Sequence, residues 1–425
     1  MARIAPRFAR VEPRRTAREL VSGLMAELPR VNCWTLAEHL GHATPDRLQH
    51  LLARAKWDAD AVRDDLRAYV TEHLGDPDGV LVVDETGDLK KGTATVGVQR
   101  QYTGTAGRIE NAQVAVYLAY AGRGGCAFID RAVYLPQAWT SDPDRMAAAH
   151  VPEETTFATK PALAAAMIAA AQDAGVAAAW ATGDEVYGAD PHLRAELERR
   201  QVGYVLAVAR SHRVTTGIGR RRAVDLVVRL PRWVWQTRSA GAGAHGERLY
   251  QWTLIEIRAR TAGHLQGQHH LLVRRNRTTG ELAFYRTWTP HPVPLSALVR
   301  VAGTRWNVEE GFQTGKELTA LDEHQVRTWT SWQRWTVLAM LAHAFLTVIT
   351  AAQRQPSTVS DELEDLHAPL PALIPLTRNE IRHLLAQLTR RIQPTTAHVL
   401  HWSIWRRHRQ AHTRTAHYQR QAMTE

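Results

Sequence analysis

Near the start of the chain, apolar positions recur at three- and four-residue spacing over Ala17–Leu28 and Cys33–Leu40, with a break near Pro29. The same period returns over Pro45–Ala55 and Asp58–Leu74 and stops at Gly75, so residues 1–75 are expected to form a helical domain. The turn Gly75–Gly79 changes the pattern. Val80–Val83 reads as a fully apolar strand ending at Asp84, and Thr95–Tyr102, Asn111–Tyr120 and Cys126–Leu135 read as further strands between glycine-bearing turns. Lys160–Ala174 is an alanine-rich helix, and Val176–Thr182 is a buried strand leading into Gly183 and Asp184. Pro191–Arg200 is a helix and Tyr204–Ala209 a strand.

A run of antiparallel-looking strands followed by helix, strand, helix, strand predicts an α/β fold, the mixed-sheet layout of a ribonuclease-H-like core. Its first part occupies 76–210. Residues 211–298 depart from that pattern: they are basic and strand-like, clearest at Leu249–Arg258 and His270–Arg275, and are expected to form an inserted β-rich subdomain. A long helix is expected from about Leu295 to Leu318, within a 299–350 segment that returns to the core. Further helices are expected to about Gln393, within a helical, basic C-terminal region, 351–425. The stretch Trp335–Gln353 lacks any Asp, Glu, Lys or Arg, yet Thr336, His343, Thr347, Thr350 and Gln353 interrupt it. It is expected to be a buried helix rather than a membrane span, with His343 a hydrogen-bonded core residue.

The 425 residues suit two or three domains. Two cysteines, Cys33 and Cys126, exclude a disulfide scaffold and offer no zinc-ligand spacing. The opening residues lack the apolar core of a secretory signal, so a cytoplasmic protein is expected. A net charge of +11 points to polyanionic partners, and its distribution matters more than its sum. Arg210–Arg238 holds eight arginines and one acid, Asp225, beside Trp233 and Trp235. His401–Arg420 holds five arginines, four histidines and no acid, beside Trp402 and Trp405. Arginines next to flat aromatics suit phosphate contact and base stacking. The N-terminal helices, approached by Arg3, Arg7, Arg10, Arg14, Arg15 and Arg18, are candidates for contact with DNA ends.

Two carboxylates, Asp84 and Asp184, follow buried apolar strands, and a third, Glu309, falls on a later helix. An Asp at a strand end is usually a turn residue and a helical Glu is usually solvated. Together, in a basic chain, the three suit two-metal phosphodiester cleavage, with two ions about 3.5–4 Å apart. Oxygen ligands without paired His or Cys favour Mg²⁺, with Mn²⁺ as a substitute, over zinc.

The run Asp84-Glu-Thr-Gly-Asp-Leu-Lys-Lys-Gly92, continuing through Val96-Gly-Val-Gln-Arg-Gln-Tyr102, resembles the first catalytic block of DDE transposases of the insertion sequence 701 family. Tyr134-Leu-Pro-Gln-Ala-Trp139 and Asp184-Glu-Val-Tyr-Gly188 resemble the blocks that follow. Arg305, Glu309 and Lys316 match the last three positions of a Tyr-Arg-Glu-Lys signature of related cut-and-paste transposases, while Ala302 stands where the tyrosine would be. The resemblance covers roughly residues 10–350. It implies Asp84, Asp184 and Glu309 as catalytic metal ligands, with Asp84 bridging two ions. It implies cleavage and strand transfer at terminal inverted repeats, with duplex DNA (repeat ends and target) as partner and a homodimer in the DNA complex. Glu310 cannot share Glu309's face at about 100° per residue, whereas Arg305 and Lys316 can. Lys90, Lys91, Arg305, Lys316, Arg220, Arg221 and Arg222 are the expected phosphate contacts. Related enzymes stack a flipped base on an aromatic from an inserted β-domain, which makes Trp233, Trp235, Trp252 and Trp288 candidates. Trp139 reads as core. A nuclease that cuts without joining, or an inactive DNA-binding protein on the same fold, remain the alternatives.

Overall fold

The computed structural model describes residues 1–217, 219–228, 230–243, 246–258, 267–353, 375–388 and 394–422. The chain begins with four helices: α1 (Val11–Leu24), α2 (Cys33–His39), α3 (Asp46–Ala53) and α4 (Ala59–Leu74). Side-chain caps set two of their starts. Asn32 accepts from Trp34 N and Thr35 N ahead of α2, and Asp58 accepts from Asp60 N and Ala61 N ahead of α4. Strands β1 (Val80–Leu89), β2 (Gln99–Thr103), β3 (Arg108–Gly122) and β4 (Gly125–Val133) follow, then short helices α5 (Gln137–Thr140) and α6 (Pro143–Ala148). The alternating part is α7 (Lys160–Asp173), β5 (Trp180–Gly183), α8 (Glu185–Ala189), α9 (Pro191–Arg199) and β6 (Gly203–Val208).

Strands β1, β5 and β6 are parallel neighbours, β3 runs antiparallel to β1, and β4 pairs with the far edge of β3. This is a mixed α/β fold around a mixed sheet. Val80–Val83 of β1 and all of β5 are buried, which explains why Val80–Val83 reads as an unbroken apolar run. One expectation needs correcting. The strand beginning at Val80 does not end at Asp84 but continues to Leu89, because β3 is long enough to pair it throughout. What stops at Val83 is the parallel ladder with β5.

Strands β7 (Arg213–Thr216) and β8 (Gly219–Arg222) pair as a small two-stranded ribbon before α10 (Ala223–Val227). Strands β9 (Gln236–Gly243), β10 (Gly246–Glu256), β11 (Gln268–Asn276) and β12 (Leu282–Thr289) then extend the central sheet, since β12 pairs antiparallel with β6. The β-rich stretch thus shares the core's own sheet through β12.

The helix expected over Leu295–Leu318 is two helices, α11 (Leu295–Thr304) and α12 (Trp306–Thr319), joined at Arg305. Apolar periodicity continues across the joint, so the break was invisible to it. Last come α13 (Trp329–Gln353), α14 (Arg378–Leu388) and α15 (Thr396–Ala422). The helices expected over 354–374 and 389–393 lie outside the described residues, as does Arg229. Helix α13 is long and apolar enough to cross a membrane, but it is buried at the centre of the molecule against α1, α3, α4, α12 and β4. Its Arg334 is buried and donates to the carbonyls of Leu51, Leu52, Ala55 and Trp57, tying the N-terminal helices to the core. His343 is buried, with Nε2 3.0 Å from Thr314 Oγ1.

Candidate active site

Register brings the two aspartates together. Val83 is opposite Gly183 in the parallel ladder, so Asp84 and Asp184 follow side by side where β1 and β5 part, on strands about 4.8 Å apart. The carboxyl ends of parallel strands are where an open sheet edge admits ligands. Asp184 is the N-cap of α8, with Oδ1 accepting from Val186 N at 2.8 Å. Asp84 Oδ1 accepts from its neighbour Glu85 N at 2.8 Å. Each carboxylate is oriented through one oxygen. Gly188 is required by the same geometry, because a Cβ there would lie 1.8 Å from the carbonyl oxygen of Ala207 on β6.

Burial dominates the electrostatics. It pushes the Asp84 carboxyl up to about 7; Arg305 opposes the shift and the nearby Asp184 adds to it. Asp184 is also raised, first by burial and then by Glu85. Two carboxylates that would rather not both be charged form a site with a deficit of positive charge.

Arg305 meets part of that deficit. From the α11–α12 joint, Nη1 lies 3.4 Å from Asp84 Oδ2, and Nη2 donates to Glu309 Oε1 at 3.0 Å. Glu309 is thus linked to Asp84 through a guanidinium. Glu310 points elsewhere and pairs with Arg378. Among the described residues no three His, Cys, Asp or Glu side chains approach closely enough to hold a metal ion. The oxygen-only donor set and the charge deficit fit a divalent cation at Asp84 and Asp184, while Glu309 Oε1 is held by Arg305.

The other candidates are scattered. Lys316 Nζ reaches Thr105 Oγ1 at 3.5 Å, on the loop after β2. Lys90 is largely buried, donates to the His324 carbonyl at 3.2 Å and lies 3.9 Å from Asp88, so its ammonium already has internal partners. Lys91 is exposed. Arg220, Arg221 and Arg222 are exposed on β8, with Arg222 paired to Asp225 at 2.8 Å. Of the tryptophans, Trp252 and Trp288 are fully buried and Trp235 nearly so, under Arg275; Trp139 is core. Trp233 is 82% exposed.

Two features escaped the sequence. Glu85 accepts from Lys160 Nζ at 2.7 Å and from the Tyr187 hydroxyl at 2.6 Å, binding β1 to α7 and α8 beside the aspartates. Residues 75 and 102 positions apart give no local signal of such contact. Trp306, half-exposed, follows Arg305 directly and carries Arg248 5.8 Å from its ring centroid. Its place next to the signature arginine was the available clue.

The register thus sets Asp84 and Asp184 side by side where β1 and β5 part, with Glu309 on a later helix joined to Asp84 through Arg305. Residues 3–223, just over half of the chain, match the family model described as DDE superfamily endonuclease, and the chain belongs to that family. It is 28% identical over 195 residues to the probable transposase for insertion sequence element IS701 of Microchaete diplosiphon, a match covering 45% of this chain and 48% of that one. The chain thus spans about half the length of this curated relative. Among solved structures, the piggyBac transposase synaptic complex with hairpin DNA aligns over 88% of this chain and 70% of that one, at 10% identity and a TM-score of 0.44.

Proposed function

We propose that this chain is a DDE transposase that cuts DNA at the terminal inverted repeats of its own mobile element and joins the freed ends to target DNA. The observation that carries this reading is the pairing of Asp84 and Asp184 at the diverging ends of β1 and β5, with Glu309 reached through Arg305. The order β4-β3-β1-β5-β6, with β1, β5 and β6 parallel, supports a ribonuclease-H-like reading of the core.

Asp84 and Asp184 would hold a first divalent ion, Mg²⁺ or Mn²⁺, and Asp84 and Glu309 a second. Such ions lower the cost of charge on the attacking and leaving oxygens of an in-line displacement at phosphorus. The chain's own part is to place the oxygens. The Val186 and Glu85 amides fix one oxygen of each aspartate, and the second oxygen of Asp84 faces Arg305. Arg305, released from the carboxylates, would take two phosphate oxygens of the scissile strand bidentately. Lys316, two turns beyond Glu309, and the exposed Lys91 and Arg220–Arg222 would hold the flanking backbone. In the first step water forms the new bond to phosphorus and the 3′-oxygen leaves. In the second that 3′-hydroxyl attacks a new phosphodiester, in the opposite strand or the target, forming a P–O bond as the attacked strand's own 3′-oxygen leaves and takes up the proton. Joining two ends at once implies a homodimer on DNA.

The test is to incubate the purified chain with Mg²⁺, a DNA carrying the inverted repeats that flank its gene, and a target plasmid. Liberated 3′-ends joined to the plasmid support the reading. Cleavage without joining would leave a nuclease, metal-independent cleavage would overturn the metal role of the carboxylates, and absent cleavage with intact DNA binding would overturn the enzymatic reading.

A further inference from the structure

Helix α15 has two unlike halves. Its first turns are anchored on the N-terminal helices. Trp402 is fully buried and donates Nε1–H to the His42 carbonyl at 2.9 Å, and Trp405 meets Trp34 edge-on at 4.7 Å. His398 donates to the Glu38 carbonyl at 3.0 Å and Arg406 pairs with the Glu38 carboxylate. From Arg407 onward the helix changes character: every described side chain is exposed. At 1.5 Å per residue that half is roughly 24 Å long.

A helix polar on every side needs a reason to stay helical. Such helices are usually supported by opposite charges three or four residues apart. Here that support is missing, since no Asp or Glu occurs between Thr396 and Met423. Glu38, the acid that α15 does engage, is taken by Arg406. Arg407 and Arg414 have no ionic partner among the described residues. Seven residues apart, they lie on one ridge, about 10 Å from each other along the axis, with the small Ala411 between them. His408 and His412 flank that ridge.

We infer that the outer half of α15 is a DNA-gripping arm whose Arg407–Arg414 ridge contacts the phosphates of a double helix, held at a fixed angle by the Trp402–Trp405 anchor. The chemistry fits a polyanion: it would neutralise the unpaired cations, and an exposed ridge with a small residue between two arginines lets a phosphate backbone approach closely. A duplex is favoured over a flexible single strand because this half presents no flat apolar ring on the Arg407–Arg414 turns for bases to stack on. The inference rests on the functional reading only for the identity of the polyanion, and it can be tested without cleavage.

The experiment measures binding of the full chain to a fluorescent duplex of unrelated sequence between about 50 and 200 mM salt. Arg407→Ala/Arg414→Ala should lower the slope of log affinity against log salt by about 1.8, at about 0.9 per lost phosphate contact. Arg407→Lys/Arg414→Lys should restore most of it, which a packing role for these side chains would not. Circular dichroism and the thermal midpoint of the Ala variant should match wild type, because neither side chain is packed. An unchanged slope with normal duplex binding overturns the arm while leaving the transposase reading intact. Loss of binding to poly-glutamate or single-stranded RNA, with duplex binding retained, would assign the ridge to another partner and also overturn it. If the wild-type chain binds no duplex at all, both readings fall.

Discussion

Asp84 shows what a buried carboxylate costs in the absence of a cation. Its ordinary value is 3.8 and burial raises it to about 7, so the native state holds a proton there that the unfolded chain would release. The stability it contributes is complete below pH 3.8 and is lost as pH rises through about 7. At pH 8, therefore, Asp84→Asn should raise the thermal midpoint, by roughly 1–3 °C, in metal-free buffer. Added Mg²⁺ or Mn²⁺ should raise the wild-type midpoint and leave that of Asp84→Asn nearly unmoved, and chelation should reverse the gain. Equal metal-induced shifts in both proteins, followed by scanning calorimetry, would remove Asp84 from the metal site. Arg305 gives a second contrast at this scale. Arg305→Lys keeps the charge but cannot bridge Asp84 and Glu309 through two nitrogens.

At the scale of elements, the sequence exposed those parts of the site that depend on local pattern. The apolar run Val80–Val83 and the buried strand ahead of Gly183 placed both aspartates where strands meet, and ladder register then set them side by side. Glu309 was separable from Glu310 because the resemblance aligned Arg305, Glu309 and Lys316 with one signature and helical angle puts these three on one face. Parts that depend on distant pairing were not legible. The continuation of β1 to Leu89 needs β3, and the Glu85–Lys160–Tyr187 cluster joins three elements. Nor did periodicity distinguish Trp252 and Trp288, now core of the extended sheet, from the exposed Trp233. Truncating either buried ring to Ala should cost about 3–5 kcal/mol, read from denaturant unfolding, while Trp233→Ala should be near neutral for stability. If an aromatic of this region stacks on a base, Trp233→Ala should slow second-strand cleavage roughly tenfold or more without slowing the first nick. Gly188→Ala makes a sharper packing prediction. The Cβ would press on the Ala207 carbonyl, displacing α8 and with it Asp184, so stability should drop by about 1–3 kcal/mol and cleavage should fall with it.

For the whole molecule, buried imidazoles set the acid limit of stability. Burial holds His343 down to about 3 and His212 down to about 4, and lowers His324 as well. The unfolded chain takes up these protons near pH 6.5 and the folded chain does not, so their contribution is full above 6.5 and lost as pH falls toward 4. The urea midpoint should decrease between pH 7 and pH 5, and His343→Gln should flatten that decrease; a parallel pH profile in the variant would contradict the assignment. Basic surface is similarly divided. Arg3 and Arg7 are committed to Glu72 and Asp65, whereas Arg10, Arg14, Arg15 and Arg18 are exposed, as are β8 and the outer half of α15. These exposed patches thus lie on three separate elements, α1, β8 and α15.

Single-turnover cleavage of a labelled end-bearing duplex bears most directly on the three carboxylates acting as one metal site. Asp84→Asn, Asp184→Asn, Glu309→Gln and Glu310→Gln should be compared in Mg²⁺ at protein concentrations that saturate binding, so that affinity drops out. The first three should each slow cleavage by roughly a hundredfold or more, as loss of charge stabilisation at the reacting phosphate does, while Glu310→Gln stays within a few-fold of wild type. Near-normal cleavage by any of the first three, or a collapse in Glu310→Gln equal to theirs, would contradict the assignment.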